Sequence, residues 1–327
     1  MYIEDLKFSL WADFIERDYL DNEFRELIDA KIINGATSNP AIFKNAILNS
    51  PAYLEQLKSL DDHLDAKQKY EAVAIFDIQK AADVLRPLFD AGDDGYVSIE
   101  VDPYLCDDAE ATIAEGKRLF ATIDRPNVMI KVPATEAGYK AMEALTSEGI
   151  PVNATLIFKK AQAIECAQAF AKGCEKHGEK VDTVISIFVS RVDRAIDKYL
   201  VEHDIEVALG GIYNSASIYS EIESMKVEGC RALFASTGVK DDSLPAHYYV
   251  EKLLAYHSVN TAPIDTIKAY NENGSKIKAL PIDPQTIQEY FDKIAAIGLD
   301  LETVLDQQIE DGLVAFKDAF TDILEAL

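Results

Sequence analysis

The chain is short of the features that mark several large classes of protein, and each shortage removes a class. It has no stretch of the roughly 18 consecutive apolar residues that a membrane helix needs. The start, Met1-Tyr2-Ile3-Glu4-Asp5, lacks the basic region and apolar run of a signal peptide, so a cytoplasmic location is expected. Cysteine is scarce: Cys106, Cys166, Cys174 and Cys230 form no C-x-x-C pair and no zinc spacing. In a reducing compartment that predicts free thiols, with neither a disulfide nor a metal site. The sequons at Asn153 and Asn273 then carry no glycosylation meaning. Basic residues number 32 against 57 acidic ones, a net charge of −25, which disfavours nucleic acid and anionic membranes as partners. Only 15 glycines and 11 prolines in 327 residues leave no room for a long flexible linker. What the chain does have is a 48% hydrophobic composition, enough for a large core.

Eight β-rich runs, at 8–13, 33–38, 96–102, 128–133, 152–157, 183–189, 231–237 and 259–262, alternate with amphipathic stretches. Those at 65–89, 107–123, 158–176, 192–201 and 244–257 space their apolar residues by three and four and are expected to be helices. Strand then helix, eight times over, predicts an α/β fold of the (β/α)8 TIM-barrel type in one domain, with 284–327 as extra covering helices. A doubly wound open sheet is the alternative, but the first strand-to-helix turn carries no G-x-G-x-x-G.

Lys131 stands out within Val128-Met129-Ile130-Lys131-Val132-Pro133, where the pattern predicts burial. Burial disfavours an ammonium, so such an amine can lose its proton near neutral pH and attack a carbonyl. It can equally be a strand-end lysine that reaches water or pairs with a carboxylate. In a barrel the chemistry lies at the C-terminal ends of the strands. Polar residues gather there: Asp13, Asn39, Glu100, Lys131, Asn153 with Thr155, Ser186 followed by Arg191, and Ser236. Buried polar groups cost free energy unless partnered, so seven strands sharing this feature are hard to explain as filler.

A lysine, two carboxylates and small hydroxyl or amide donors are the parts of Schiff-base chemistry. The amine adds to a ketone, and a carboxyl such as Glu100, through a water held by Thr155, supplies the proton for dehydration. The imine withdraws electrons from the adjacent bond, and Asp13 is placed to take a hydroxyl proton as the carbon–carbon bond breaks. Asp13 can otherwise cap a helix beginning near Glu16, and Glu100 can pair with a neighbouring lysine. Two motif-like stretches fail on inspection. Asp90 to Gly95 suggests a calcium loop but lacks the glutamate at position twelve, where Val101 stands, and Gly173 to Gly178 is followed by Glu179 instead of the P-loop lysine. The five histidines, His63, His177, His203, His247 and His257, show no metal-ligand pairing.

Taken in order, several segments resemble the transaldolase family. They are Leu10-Trp11-Ala12-Asp13, Gly35-Ala36-Thr37-Ser38-Asn39-Pro40-Ala41-Ile42-Phe43, Val97-Ser98-Ile99-Glu100-Val101-Asp102, Met129-Ile130-Lys131-Val132-Pro133-Ala134-Thr135, Val152-Asn153-Ala154-Thr155-Leu156-Ile157-Phe158 and Ser186-Ile187-Phe188-Val189-Ser190-Arg191-Val192-Asp193. The resemblance implies that Lys131 forms the imine, that Asp13 is the acid/base, and that Glu100 and Thr155 position a water. Asn39, Asn153 and Ser186 would hydrogen-bond a dihydroxyacetone unit beside Phe188. That unit would pass from sedoheptulose 7-phosphate to glyceraldehyde 3-phosphate, giving erythrose 4-phosphate and fructose 6-phosphate. Arg191 with the loop Ala235-Ser236-Thr237-Gly238-Val239-Lys240 would hold the phosphate. Many members carry an arginine where this chain has Gly238, so Lys240 is its substitute here, a point charge and not a bidentate fork, or else an ordinary solvated charge. No cofactor is implied. Sugar phosphates are the expected partners, and the assembly is left open, a homodimer included. A lysine-dependent aldolase without transfer, and a barrel that only binds a sugar phosphate, are the competing readings.

Overall fold

Parallel strands covered by helices are buried on both faces, which is why short, nearly continuous apolar runs specify them. The computed structural model describes residues 2–240 and 243–327, and all eight runs are strands in it. They are β1 (Phe8–Ala12), β2 (Gly35–Thr37), β3 (Val97–Glu100), β4 (Val128–Pro133), β5 (Val152–Ile157), β6 (Thr183–Phe188), β7 (Cys230–Ala235) and β8 (Ser258–Ala262). Every expected boundary lies within two residues of the observed one. The strands pair in chain order, all parallel, and β8 returns to β1 with Ser9 opposite Val259 and Ala12 opposite Ala262, closing the barrel. A two-residue strand, Tyr2–Ile3, adds antiparallel to β1.

Helices Ala66–Asp90, Ala109–Ile123, Lys160–His177 and Ser190–Val201 follow their strands as the spacing predicts. Asp65, Asp108 and Thr135 each cap a helix by accepting from the backbone N–H three residues on. The expected helix over 244–257 is a correction: only Tyr248–Lys252 is helical. The Leu254 carbonyl there accepts from the backbone N–H groups of Ala279 and Leu280, and His257 takes a left-handed φ of 52°, so the chain turns where the apolar spacing would have continued a helix. The C-terminal segment forms helices Pro284–Ala296 and Leu301–Ala326, and the latter packs against Pro40–Asn49, Ala66–Asp90 and Ser190–Val201 and reaches β5. Among the described residues no helix is long and apolar enough to cross a membrane.

Side chains two apart on a strand share a face, and this spacing organises the barrel interior. Trp11, Met129, Val184, Leu233 and Val259 belong to one buried apolar cluster that fills the lower barrel. Trp11 lies flat on β2 because residue 35 is glycine; a Cβ there would sit 2.5 Å from the indole ring. Below this floor Asp94 accepts from Trp11 Nε1 at 2.9 Å and pairs with Arg231 at 2.8 Å, so the acidic run after the helix ending at Asp90 is a turn anchored beneath the barrel floor. Two residues further along the same strands come Asp13, Lys131, Ser186, Ala235 and Thr261, and the interior turns polar.

Candidate active site

Lys131 is 5% exposed and stands above that apolar floor. Its Nζ donates to the Ser38 carbonyl at 3.1 Å and lies 3.8 Å from Glu100 Oε2, an ion pair without a hydrogen bond. The Ser38 peptide is itself fixed, because the Ser38 hydroxyl donates to the Ser98 carbonyl at 2.7 Å. Strand register explains the pairing: Glu100 on β3 sits opposite Lys131 on β4, which sits opposite Asn153 on β5. Glu100 is 7% exposed, and neither of its oxygens accepts a hydrogen bond among the described residues. Burial pushes its carboxyl up to about 7, against the opposing pull of Lys131. Thr155 Oγ1, two residues beyond Asn153 on the same face, is likewise buried without a protein partner.

Asp13 follows β1 directly. Its backbone N–H donates to the Ala262 carbonyl at 2.8 Å, and its carboxylate accepts from the Thr37 hydroxyl at 2.7 Å. Thr37 in turn shares a 2.7 Å hydrogen bond with Thr261, so β1, β2 and β8 jointly orient the acid. The helix that Asp13 could have capped, Arg17–Asp21, is capped instead by Glu16, which accepts from the Tyr19 N–H at 2.9 Å. Asp13 therefore faces the barrel mouth.

Asn39 caps Pro40–Asn49 through Oδ1, leaving its Nδ2 as a donor. Across the barrel the Ser186 hydroxyl donates to Asn153 Oδ1 at 2.6 Å, and Asn153 Nδ2 donates to Ser98 Oγ at 3.1 Å. Ser236 holds a left-handed φ of 56° at the end of β7, with its hydroxyl 3.1 Å from that of Ser190. The Arg191 guanidinium stacks on Phe188 at 5.0 Å. Burial first, and then the neighbouring Arg194 charge, lower the pKa of Arg191.

A cleft of about 220 Å³ opens at this end of the barrel, and most of the residues singled out in the sequence line it: Asp13, Asn39, Lys131, Ser186, Phe188, Arg191, Ser236 and Lys240. Glu100, Asn153 and Thr155 are not on the cleft wall; they are buried beside and beneath it. A buried amine, two carboxylates contributed by different strands, and cations at the mouth can form and discharge an imine on an anionic sugar. The family model described as transaldolase/fructose-6-phosphate aldolase matches residues 10–327. The chain belongs to this family. Proteins named transaldolase from Campylobacter jejuni (strain RM1221) and Helicobacter pylori (strain Shi470) are 45% and 42% identical to it, each over 98% of this chain and 99% of the relative.

In this family member the cleft also contains residues that the sequence did not single out. Thr37 and Thr261 buttress Asp13, and Arg194 and Phe316 line the wall. Arg194 could have been found, since it is three residues after Arg191 and helical spacing puts both on one face. Phe316 carries no such signal: it is one apolar position in the stripe of a helix 185 residues away from Lys131 in the chain. All four cysteines are free. Asp193, the last residue of the sixth family segment, is turned away and accepts from the Gly211 N–H at 2.7 Å.

Proposed function

We propose that residues 1–327 act as one barrel domain, covered by 284–327, that catalyses transaldol transfer. A dihydroxyacetone unit moves from sedoheptulose 7-phosphate to glyceraldehyde 3-phosphate, releasing erythrose 4-phosphate and forming fructose 6-phosphate. Lys131 is the nucleophile, Asp13 the acid/base at the cleaved bond, and Glu100 with Thr155 the pair that holds the water of imine formation and hydrolysis. Asn39, Asn153 and Ser186 bind the three-carbon unit against Phe188. Arg191, Ser236 and Lys240 bind phosphate at the mouth, local cations set against the chain's net charge of −25.

One observation carries this reading: a lysine 5% exposed whose nitrogen lies 3.8 Å from one carboxylate and which shares a cleft with a second. Glu100, neutral below about pH 7, can donate the proton that turns a carbinolamine into an imine, then take it back. Asp13, held by Thr37 and lining the same cleft, serves the sugar hydroxyl. The relatives named transaldolase, alike over nearly their whole length, support transfer over simple cleavage.

Adding fructose 6-phosphate and then borohydride should fix a reduced three-carbon adduct on the peptide containing Lys131. An unmodified peptide would count against transferase and aldolase alike. Lys131→Ala should keep the native circular dichroism spectrum and lose more than about 10⁴-fold in activity; retained turnover would refute the assignment. Transfer is separated from cleavage by measuring free dihydroxyacetone with and without an aldehyde acceptor.

A further inference from the structure

The long C-terminal helix, Leu301–Ala326, brings an apolar ring to the place where the proposed chemistry creates a cation. Phe316 is buried, and its ring centroid lies 6.0 Å from Lys131 Nζ. The helix is tied down along its length: Lys159 pairs with Glu302 at 2.9 Å and Asp306 at 2.8 Å, Tyr104 bonds Thr321 at 2.6 Å, and Lys44 pairs with Asp322. Its approach is set at Gly312, four residues before Phe316 and so on the same face. A Cβ at Gly312 would stand 2.9 Å from Leu156 Cδ2 and 3.5 Å from Arg191 Nη1. Leu156 takes a left-handed φ of 60° where the β5–β6 register shifts, an irregularity of the kind that re-aims a strand beside a site.

We propose that Phe316 shields the Lys131 adduct and so determines how often the three-carbon unit is passed to an aldehyde instead of being lost to water. The proposal rests on the imine reading above. Once the carbon–carbon bond has broken, the unit remains on Nζ as an enamine. Transfer requires the enamine carbon to attack the aldehyde carbonyl carbon, whose oxygen takes a proton; the product imine is then hydrolysed. Loss requires the enamine carbon to take a proton instead, giving an iminium. Water then adds to the imine carbon, the carbon–nitrogen bond of the carbinolamine breaks as its hydroxyl gives up a proton, and lysine and dihydroxyacetone separate. A phenyl ring offers no hydrogen bond to a water that could deliver the first proton of the losing route. Its face meets the cationic iminium on both routes alike, so that attraction does not set the ratio; exclusion of water does.

The test is a partition ratio, the rate of dihydroxyacetone release from fructose 6-phosphate divided by the rate of transfer to erythrose 4-phosphate. Phe316→Ala should raise the ratio about tenfold and Phe316→Leu about threefold, equivalent to lowering the barrier to water-borne protonation by about 1.4 and about 0.7 kcal/mol. Both should retain the borohydride-fixed adduct on Lys131. A purely structural lesion slows both routes together and leaves the ratio unchanged. A native ratio in either soluble variant, with Lys131 still trapped, would overturn the proposal. Absence of the adduct in the native protein would instead overturn the imine reading itself.

Discussion

Glu100→Gln tests the electrostatics of the site through stability as well as through rate. Burial raises this carboxyl from an ordinary value of 4.5 to about 7. The folded state then holds the proton more tightly than the unfolded chain does, so the group's contribution to stability is full below pH 4.5 and is lost as the pH rises through 7. Each pH unit within that window changes the unfolding free energy by about 1.4 kcal/mol. The chain's pI of about 4.5 makes pH 5.5 a practical lower limit. Between pH 5.5 and 8.5 the native protein should lose about 2 kcal/mol relative to the glutamine variant, which has nothing to titrate at this position. Urea unfolding followed by fluorescence of Trp11, the one tryptophan and fully buried in the barrel floor, reads this directly. The pH dependence carries the inference, because loss of the 3.8 Å ion pair with Lys131 alters absolute stability as well. The same variant should slow imine formation about 10²- to 10⁴-fold, the usual worth of a positioned proton donor. Parallel stability profiles for the two proteins across this range would show that the carboxyl does not titrate near 7 and would remove its assignment as the proton carrier.

Asp13→Asn should still form the borohydride-fixed adduct when offered dihydroxyacetone, yet cleave fructose 6-phosphate about 10²- to 10⁴-fold more slowly; loss of the dihydroxyacetone adduct would show that Asp13 acts in imine formation instead. Arg194→Ala should raise KM for phosphorylated sugars about tenfold with little change in kcat, as removal of one charge-assisted contact predicts; an unchanged KM would leave Arg194 as a bystander on the cleft wall. Gly312→Ala should lower the unfolding free energy by about 1 kcal/mol, a steric cost of about 2 kcal/mol from a methyl 2.9 Å from Leu156 Cδ2 offset by the roughly 1 kcal/mol that alanine gains over glycine within a helix; a raised thermal midpoint would mean that Leu156 gives way without cost.

The barrel was legible because its strands are buried on both faces, leaving short apolar blocks between polar helical stretches. Lys131 was legible for the same reason, as a charge inside such a block. Asp13 and Glu100 each had two readings in the sequence. Glu16 takes the capping role, which leaves Asp13 to the cleft, and the lysine that pairs with Glu100 is Lys131 itself. The residues that escaped notice act across long separations. Thr261 meets Thr37 from 224 positions away, and Phe316 reaches Lys131 only because the last helix crosses the barrel mouth. No spacing rule connects such pairs, since their proximity is a product of closure and docking. The shortened helix after Leu244 shows the opposite failure, in which apolar periodicity persists while backbone carbonyls are recruited by a segment some 25 residues later.

The step of two residues from an apolar floor to a polar layer bears on how the site gains its reactivity. Trp11 precedes Asp13, and Met129 precedes Lys131, on the same face of the same strand. The floor is closely packed, and Glu100, opposite Lys131 and 7% exposed, is enclosed whatever fills the cleft above. Desolvation raises the Glu100 carboxyl, and it does so without any additional acidic neighbour pressed against it, since Asp13 is only a minor contributor to that shift. The two carboxylates can therefore do different work. Asp13 is oriented by hydroxyls at the open rim, where it can serve a sugar hydroxyl, while Glu100 is enclosed beside the amine, where a single proton can be delivered and recovered. Exchanging the two environments would exchange the roles, and the environments follow from where each carboxylate sits: Asp13 just beyond β1 at the open rim, Glu100 at the end of β3 directly opposite Lys131.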